Sequence, residues 1–355
     1  MILGALSFGP SSARGMVLLA SLVSTPNFGE KRNILMTTMR AIQVHTYGDA
    51  TQLHLEEIPQ PVPGEGEVLV RVHASGVNGM DWQIRSGFLK DVMPAGFLKD
   101  VMPVTFPYVP GIELAGVVER VGPGVTALQP GQAVFGLTRA GAYAEYSLVS
   151  AQTLAPKPTS LSFDEAATVP VGATTAWQAL FDQGQLQAGQ RVLILGGSGG
   201  VGIFAVQFAH RKGAQVITTT SSSNVAFVRS LGADVVIDYT QTRVEDEVHQ
   251  VDLVLDTVGG EGTASALATL KPGGTLLTIA GQPDVRQAQA LGVRTAFFSA
   301  QMGDTPQLLT TVSRLIDEGQ LRTSIAATFL LSEATKAQEL SQRGHGRGRI
   351  ILHVA

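Results

Sequence analysis

The sequence predicts an α/β protein in which a small β-barrel is combined with a doubly wound parallel sheet. Three observations predict this class: short strands and turns from about residue 39 to 161, alternating strands and helices after that, and a glycine-rich turn within the second region. Many short strands separated by turn residues are typical of a barrel. Alternating strands and helices are typical of a parallel sheet covered by helices on both faces.

The composition agrees with a large buried core and excludes several classes of protein. The 355 residues include 15% charged and 44% hydrophobic side chains, and the net charge is −4. Such a chain folds, and it lacks the basic excess of a nucleic-acid-binding protein, so no nucleic-acid partner is expected. The absence of cysteine excludes disulfides and thiolate zinc sites, and we expect a cytoplasmic protein. No membrane partner is expected, because no apolar run approaches the ~20 residues of a spanning helix.

Two segments stand apart from the two domains. Residues 1–38 are rich in Ser, Gly and Pro without a sustained period, which predicts a disordered extension ahead of a start at Met36 or Met39. A transit peptide is the alternative, because the segment is poor in acidic residues. Residues 87–95 (GFLKDVMPA) are followed at once by residues 96–104 (GFLKDVMPV), which predicts a local duplication in a loop or short helix. A loop tolerates such lengthening because its entropic cost grows slowly.

The first domain is predicted to begin with strands at Arg40–His45 and Glu67–His73. The second of these, EVLVRVH, alternates apolar and polar residues, as a half-buried strand does. Short strands continue to about Val149. Tyr143 and Tyr146 alternate in one of them, which predicts packing in the barrel rather than acid catalysis.

The strongest local signal is the glycine-rich turn within residues 191–213. Val192–Leu195 is a continuous apolar run, as in a central parallel strand, and apolar residues recur at helical spacing from Val201 onward. Between them, GSGGVG fits G-x-G-x-x-G, which predicts a pyrophosphate site at a helix N-terminus. The first glycine should permit a tight turn, the second close approach of the pyrophosphate, and the third close helix–strand packing. The predicted contacts are Gly197, Ser198, Gly199, Gly200, Val201 and Gly202.

The end of the second strand of this region indicates which cofactor is bound. A carboxylate there usually binds the ribose 2′-hydroxyl of NAD. Here Gln215–Thr219 is followed by polar residues without an acid, which can donate hydrogen bonds to a 2′-phosphate; they are Ser221, Ser222, Ser223 and Asn224. The sequence therefore favours NADP(H), and a solvated turn that is neutral between the two cofactors is the alternative.

Two later strands also end in small or polar residues, at Asp256–Gly260 and Ala280–Pro283. Ligands of open parallel sheets bind beyond the carboxyl ends of the strands. Val258, Ala280 and Gly281 are therefore candidates for the wall of the nicotinamide pocket, and plain tight turns are the alternative.

Eight sequence strings occur in a set order between residues 39 and 354. They are ASGVNGMDWQIRSG (74–87), PGIELAGVVERVG (110–122), GAYAEY (141–146), AATVPVGATTAWQAL (166–180), LILGGSGGVG (193–202), DLVLDTVGG (252–260), LKPGGTLLTIAG (270–281) and GHGRGRIIL (344–352). In this order they resemble the medium-chain dehydrogenases/reductases. The chain is most similar to their zinc-free branch, the NADPH:quinone oxidoreductases related to zeta-crystallin.

This resemblance implies a GroES-like barrel with an inserted Rossmann domain. Residues 39–161 would form the first part of the catalytic domain, residues 162–298 the NADP-binding Rossmann domain, and residues 299–355 the return to the catalytic domain. The resemblance also implies a homodimer.

The resemblance shows where the chain departs from zinc-dependent relatives. Those relatives place a Cys at the position of Asn78, a His at that of Ile112 and a third ligand at that of Val171. Isoleucine and valine have no donor atom for Zn²⁺. No metal site is therefore expected, which argues against the alternative of a zinc-type alcohol dehydrogenase.

Further residue roles follow from the resemblance. It implies that Asn78 positions the nicotinamide and the substrate, that Asp81 supports this turn, and that Thr175 contacts the carboxamide end of the cofactor. It implies that Tyr239 helps to hold the 2′-phosphate. We also place Arg349 in the cofactor site.

The closing segment GHGRGR resembles the cofactor-side closing segment of the family. Its arginines, Arg347 and Arg349, could approach phosphate, and solvated charge is the alternative.

Together these features predict an NADPH-dependent, metal-free reductase that transfers hydride to a quinone or to an activated alkene such as an enone. The proton donor is not identified, because tyrosines near the substrate in some relatives correspond to Gln83 and Leu89, and water is the expected proton source. The alternative from another class is a non-catalytic NADPH-binding sensor or RNA-associated protein. The acidic net charge counts against RNA, and substrate-dependent oxidation of NADPH would decide between the two.

Overall fold

The computed structural model describes residues 37–89, 104–301, 305–344 and 346–355. The predicted extension up to residue 36 lies outside these ranges, as does the tandem repeat from residue 90 to residue 103. The first strand begins at Thr38, one residue before the predicted start of the first domain.

The first domain is built on a seven-stranded sheet and a two-stranded sheet. The antiparallel pair is β1 (Thr38–Gln43) and β2 (His54–Pro59). The strands of the larger sheet are β3 (Glu67–Val77), β4 (Glu113–Val121), β5 (Ala133–Leu137), β6 (Tyr146–Ser150), β7 (Leu154–Pro156), β14 (Ile325–Leu330) and β15 (Arg349–His353). Its order is β14-β15-β3-β4-β5-β7, and β6 also pairs with β3. Alternating apolar side chains of β3, such as Val68, Val70 and Val72, face a buried core with Leu114 and Val118.

The second domain contains a six-stranded parallel sheet. Its strands are β8 (Arg191–Leu195), β9 (Gln215–Thr220), β10 (Val235–Asp238), β11 (Val251–Asp256), β12 (Leu270–Thr278) and β13 (Arg294–Phe297). The order β10-β9-β8-β11-β12-β13 reverses direction between β8 and β11. Such a reversal defines a doubly wound sheet and opens a ligand-binding crevice at the carboxyl ends of the two strands. The predicted fold class is confirmed.

Ten α-helices lie within the described ranges. They are α1 (Gly79–Ser86), α2 (Phe163–Ala166), α3 (Pro170–Trp177), α4 (Gly202–Lys212), α5 (Val225–Ser230), α6 (Val244–Glu247), α7 (Glu261–Leu267), α8 (Val285–Ala290), α9 (Thr305–Asp317) and α10 (Ala334–Arg343). A π-helical turn, Gln178–Gln183, continues α3. Helix α4 ends at Gly213, whose φ of 81° suits a left-handed C-terminal cap.

The two sheets share one hydrophobic core through α3. Ala74 and Phe135 of the first domain belong to the same buried cluster as Ile194 and Phe204 of the second. At Gly172 the contact between α3 and α4 is close, because a Cβ there would lie 2.9 Å from the Phe204 ring. Helix α3 therefore packs directly against the glycine-rich turn.

The end of the chain joins the first domain. Strand β15 pairs antiparallel with β3, from Ile350 opposite Val77 to His353 opposite Ala74. The residues after 299 thus include two strands of the seven-stranded sheet.

Candidate active site

The glycine-rich turn lies at the carboxyl end of β8. The residue just before the motif, Gly196, has a left-handed φ of 76°. Gly197, the first glycine of the motif, has no room for a side chain, because a Cβ there would collide with the Thr218 side chain on β9. The turn therefore uses a glycine that lies outside the motif as well as the first glycine within it.

The other glycines of the turn differ in the space around them. A Cβ at Gly202 would collide with the Gly196 carbonyl oxygen and lie 2.8 Å from the Gly197 Cα, as expected for close helix–strand packing. A Cβ at Gly199 would have its nearest neighbour at 3.3 Å, the Gly196 oxygen. This contact is tight, but no other described atom lies within 4 Å, so Gly199 keeps space on its remaining sides for close approach of a pyrophosphate.

The closing segment of the chain pairs with this turn. The Gly348 N–H donates to the Ser198 carbonyl oxygen at 2.9 Å, and Gly348 forms a parallel bridge with Gly199. The Ser198 side chain is buried and accepts a hydrogen bond from the Thr220 hydroxyl at 3.0 Å. The turn is therefore held both from β9 and from the segment that leads into β15.

The turns after β11 and β12 meet the glycine-rich turn at the same edge of the sheet. The Asp256 carboxylate accepts hydrogen bonds from the backbone N–H groups of Val258 and Gly259, each at 2.9 Å. Val258 is 62% exposed, and its side chain would lie 2.8 Å from a Cβ at Gly196. Gly259 in turn packs against Ala280. The structure thus places Val258 beside the turn and Ala280, which precedes Gly281, beside Gly259.

The end of β9 differs from the prediction in one respect. Ser222 donates a hydrogen bond of 2.5 Å to Asp238, which ends the neighbouring strand β10. Asn224 donates to the Ser221 hydroxyl at 3.2 Å, and Tyr239 is 49% exposed beside them. A carboxylate therefore lies at this corner, contrary to the inference from the second strand alone, because parallel pairing brings β10 to the site.

A cation also lies at this corner. The Arg347 guanidinium lies over the Phe227 ring, 4.9 Å from its centroid. Phe227 belongs to α5, which begins directly after Asn224.

A second group of polar residues is buried below the turn, in the first domain. Asn78 precedes α1, and its backbone N–H donates to Asp81 Oδ2 at 2.8 Å. The Tyr143 hydroxyl donates to the same oxygen at 2.9 Å. Asn78 and Asp81 are 3% and 2% exposed. Tyr143 does pack in the domain interior, as predicted, and it also binds Asp81.

Glu113 connects this group to the glycine-rich turn. Its carboxylate accepts hydrogen bonds from Asn78 Nδ2 at 2.9 Å and from the Val171 N–H at 2.7 Å. It also pairs with Arg349, whose Nε lies 3.3 Å away. The Arg349 guanidinium packs against Gly200, where a Cβ would lie 2.7 Å from its Cζ. The motif analysis missed Glu113, although an acid within the apolar strand ELAGVV was a usable signal.

Burial dominates the electrostatics of this group. Burial raises the pKa of Asp81 to about 7, against the lowering effect of its two hydrogen bonds. Burial also raises the pKa of Glu113, while Arg349 acts in the opposite direction. Burial, reinforced by Asp81, raises the pKa of Tyr143 well above its ordinary value. Asp81 can therefore hold or release a proton near neutral pH.

The described residues offer few donors for a metal ion. Ile112 precedes Glu113 in the chain and Val171 donates its backbone N–H to the Glu113 carboxylate, and neither side chain has a donor atom for a metal. Within the described ranges no group of three or more His, Cys, Asp or Glu side chains could hold a metal. In the same ranges, no helix is long and apolar enough to cross a membrane.

The structure brings the predicted residues together in three places along one crevice. The glycine-rich turn lies with Arg349, Val258 and Ala280, the polar corner lies at the end of β9, and the Asn78 group lies beyond Glu113. Thr175 lies half-buried on α3, one turn beyond the contact of Gly172 with the glycine-rich turn.

A barrel domain joined to a doubly wound sheet, with a phosphate-binding turn beside a buried polar group, defines a two-domain oxidoreductase that uses a nicotinamide nucleotide. Two family descriptions match this chain. "Alcohol dehydrogenase GroES-like domain" matches residues 64–159, and "Zinc-binding dehydrogenase" matches residues 231–352. The chain belongs to the medium-chain dehydrogenase/reductase superfamily, in its quinone oxidoreductase branch.

Similar curated proteins agree with this assignment. The mouse mitochondrial NAD(P)H oxidoreductase RTN4IP1 is 34% identical over 328 residues, which cover 81% of this chain and 82% of the relative. The mouse quinone oxidoreductase is 30% identical over 333 residues, which cover 88% of this chain and 97% of the relative.

Solved structures show the same fold. The quinone oxidoreductase of Coxiella burnetii is 33% identical with a TM-score of 0.80, covering 90% of this chain and 100% of that one. Mycobacterial Rv1454c complexed with NADPH is 29% identical with a TM-score of 0.79, covering 89% and 99%. The predictions of the family and of an NADP(H) cofactor are confirmed.

The prediction of a cytoplasmic protein is wrong. The RTN4IP1 relatives from zebrafish, mouse, fruit fly, human and cattle are all named as mitochondrial. The prediction rested on the absence of cysteine, which shows only that no disulfide is needed and does not distinguish one compartment from another.

Proposed function

We propose that this protein transfers a hydride from NADPH to a quinone or an enone without a metal ion. The observation that carries the proposal is the Glu113 link, which connects the phosphate-binding turn to a buried Asn78 amide through Arg349. This link supports the proposal because one buried carboxylate contacts both the Asn78 amide and the arginine that packs against the turn. The names of the relatives support an oxidoreductase that uses NAD(P)H and, for several of them, a quinone.

The described residues fit NADPH. Gly199 leaves room for the pyrophosphate, and Arg349 Nη2 is a buried donor without a partner in the described structure. Asn78 Oδ1 is likewise buried and unpartnered. Because the Glu113 carboxylate requires a donor from Asn78, the amide turns Nδ2 to Glu113 and keeps Oδ1 as an acceptor. That acceptor suits an N–H of the nicotinamide carboxamide.

The residues of this chain would then position the bound cofactor and polarise the substrate. When bound, the cofactor supplies the hydride at C4 of its nicotinamide ring. Arg349 and the free backbone N–H groups at the start of α4 hold the pyrophosphate, and Val258 and Ala280 flank the ring. Asn78 fixes the carboxamide. With Ile112 and Val171 at the neighbouring positions, polarisation of the substrate depends on hydrogen bonds and not on a Lewis acid.

A panel of acceptors tests this function. We expect NADPH oxidation that depends on added 1,4-quinones or enones and that survives exhaustive chelation. We expect no reduction of NADP⁺ by simple alcohols. The matched variant is Asn78→Asp, which keeps the size of the side chain but places a second carboxylate against Glu113; it should lose most of the activity. Activity with none of the acceptors would favour the non-catalytic sensor, and stoichiometric zinc lost together with activity would contradict the metal-free mechanism.

A homodimer is also part of the proposal. Strand β13 forms one edge of the six-stranded sheet, and an open edge is able to pair with a second copy. Light scattering of the purified protein tests this point.

A further inference from the structure

A small cavity lies beside Asp81. It has a volume of about 50 Å³ and is lined by α1 and by the segment that leads into β4. Its polar lining residues are Asp81, Tyr108 and Arg139. Its wall also includes Ile112, the residue directly before Glu113.

Two polar atoms of this lining are buried without a partner in the described part of the chain. They are Asp81 Oδ1 and the Tyr108 hydroxyl oxygen. The other oxygen of Asp81 is already satisfied by Asn78 and Tyr143. Buried polar side-chain atoms in folded proteins almost always have a hydrogen-bond partner, either protein or ordered water. A water needs about 10–15 Å³ of this kind of volume and at least two polar partners, and the cavity offers both.

We propose that a water in this cavity bridges Asp81 and Tyr108, and that the Asp81 carboxyl supplies through it the proton that completes reduction of an enone. This inference rests on the proposed function for its second half. It names a proton source that the sequence left unidentified, and it adds Tyr108 to the site as a positioning residue.

The step balances as follows. Hydride from the nicotinamide forms a C–H bond at the β-carbon of the enone, and the electron pair of the alkene moves toward the carbonyl as an enolate. The cavity water gives a proton to the α-carbon and regains one from the Asp81 carboxyl. The resulting carboxylate is reprotonated from solvent, past the exposed Arg139 at the cavity.

The charged groups around Asp81 permit this cycle. Glu113 opposes ionisation of the carboxyl, whereas Arg349 and the hydrogen bonds from Asn78 and Tyr143 favour it. Burial and the nearby Asp81 raise the pKa of the Tyr108 hydroxyl, with Arg85 acting in the opposite direction, so Tyr108 remains a protonated donor. Tyr108 can therefore orient the water without being consumed.

The first experiment is independent of turnover. Infrared difference spectra between pH 5 and pH 9 should show the C=O band of a protonated carboxyl that disappears in Asp81→Asn. In Tyr108→Phe this band should shift, because the bridging water loses its second partner. Tyr146→Phe is the matched control, since Tyr146 lies on β6 away from the cavity, and its spectrum should equal the wild type. A band that is unchanged in Tyr108→Phe overturns the bridge.

The second experiment follows the proton. A 2-methyl cyclic enone reduced in D₂O should acquire deuterium on one face of the α-carbon with wild-type enzyme and with Tyr146→Phe. Tyr108→Phe should give a mixture of faces and about tenfold lower kcat with enones, but little change with quinones, whose oxygens exchange protons with solvent. Deuterium on both faces of the α-carbon in the product of the wild-type enzyme would overturn the proposal that the cavity water delivers the proton. If no acceptor is reduced, the proposed function and the delivery step both fail, while the infrared band still decides the bridge.

Discussion

The glycine-rich turn and the buried Glu113 group lie on either side of the same crevice, and they are built in opposite ways. The turn is made by consecutive residues, 196–202, and works through the space left by missing side chains. The Glu113 group draws Asn78, Glu113 and Arg349 from distant parts of the chain and works through charge in a buried environment. The glycine-rich turn is thus encoded by adjacent residues, whereas the Glu113 group forms only when distant parts of the chain have folded together.

This difference predicts that different kinds of substitution will damage the two parts of the site. The turn should tolerate changes of charge nearby and fail when volume is added. The Glu113 group should tolerate small changes of volume and fail when a charge or a proton is removed, because an unpaired buried charge has no solvent to compensate it.

The largest effect is expected at Glu113. Glu113→Gln keeps the volume and an acceptor oxygen but leaves the buried Arg349 guanidinium without its counter-charge, so the free energy of unfolding should fall by about 3–5 kcal/mol. Glu119→Gln is the control, since Glu119 pairs with Arg71 at 3.8 Å on the surface, and it should change stability by less than about 1 kcal/mol. Urea unfolding of both variants measures the difference. Equal losses of stability in the two variants would contradict the prediction that the buried ion pair contributes more than the surface pair.

The next effect is a dependence of stability on pH that comes from Asp81. Its pKa is about 7 in the folded protein and about 3.9 in an unfolded chain, so between these values the native state holds a proton that the unfolded state has lost. The contribution of this group is therefore fully present below about pH 4 and is lost as pH rises to about 7, at about 1.4 kcal/mol per pH unit.

Asp81→Asn removes this titration and keeps an oxygen that can accept from Asn78 and Tyr143. The stability of the wild type relative to Asp81→Asn should therefore decline between pH 4 and pH 7 and then level off. Thermal or urea unfolding of the two proteins across this range measures it. A constant difference would show that the carboxyl is not protonated in the folded state.

A pair of glycine substitutions should separate packing from cofactor binding in the turn. Gly202→Ala forces a Cβ into the Gly196 carbonyl and should cost about 1–3 kcal/mol of stability. Gly199→Ala meets its nearest atom at 3.3 Å and should fold nearly normally, yet lose NADPH affinity because the methyl group occupies the approach of the pyrophosphate. Melting temperature and fluorescence titration with NADPH measure the two effects. Loss of affinity without loss of stability in Gly202→Ala would contradict the assignment.

The comparison also explains what the sequence could predict. The strand, glycine string and helix around Gly199 follow local rules, so the turn and the doubly wound sheet were predictable. The left-handed φ of Gly196 could not be predicted, because three glycines follow β8 within four residues and φ angles cannot be read from composition. Glu113 was missed because its partners, Asn78 and Arg349, meet it only through the pairing of β3 with β4 and β15.

The same reasoning applies to the polar corner at the end of β9, where we propose that the adenosine ribose binds. Reading β9 alone gives a set of neutral donors without an acid, which predicts a preference for NADPH. Pairing of β10 with β9 places Asp238 opposite Thr220 and within hydrogen-bond distance of Ser222. We therefore propose that the selectivity for NADPH depends on both Asp238 and the cation of Arg347, which no single strand reveals.

The smallest effect is expected here, on the ratio of kcat/KM for NADPH to that for NADH. The wild type should prefer NADPH by a modest factor, about 5- to 150-fold, from two neutral hydrogen bonds to the 2′-phosphate. Asp238→Asn removes a like charge and should raise the ratio. The increase should be only about two- to fivefold, because the corner is exposed and its charges are screened by salt.

Ser222→Ala is the matched control. It deletes the hydroxyl that donates to Asp238 while leaving the carboxylate, so it should not raise the ratio. Arg347→Ala and Ser221→Asp should lower the ratio, the latter by repelling the phosphate. Steady-state kinetics of these variants with both cofactors, repeated at two salt concentrations, separates charge from hydrogen bonding. An Asp238→Asn ratio equal to the wild type at both concentrations would mean that the 2′-phosphate lies away from the Ser221–Asn224 turn, and that the polar corner serves only to join β9 to β10.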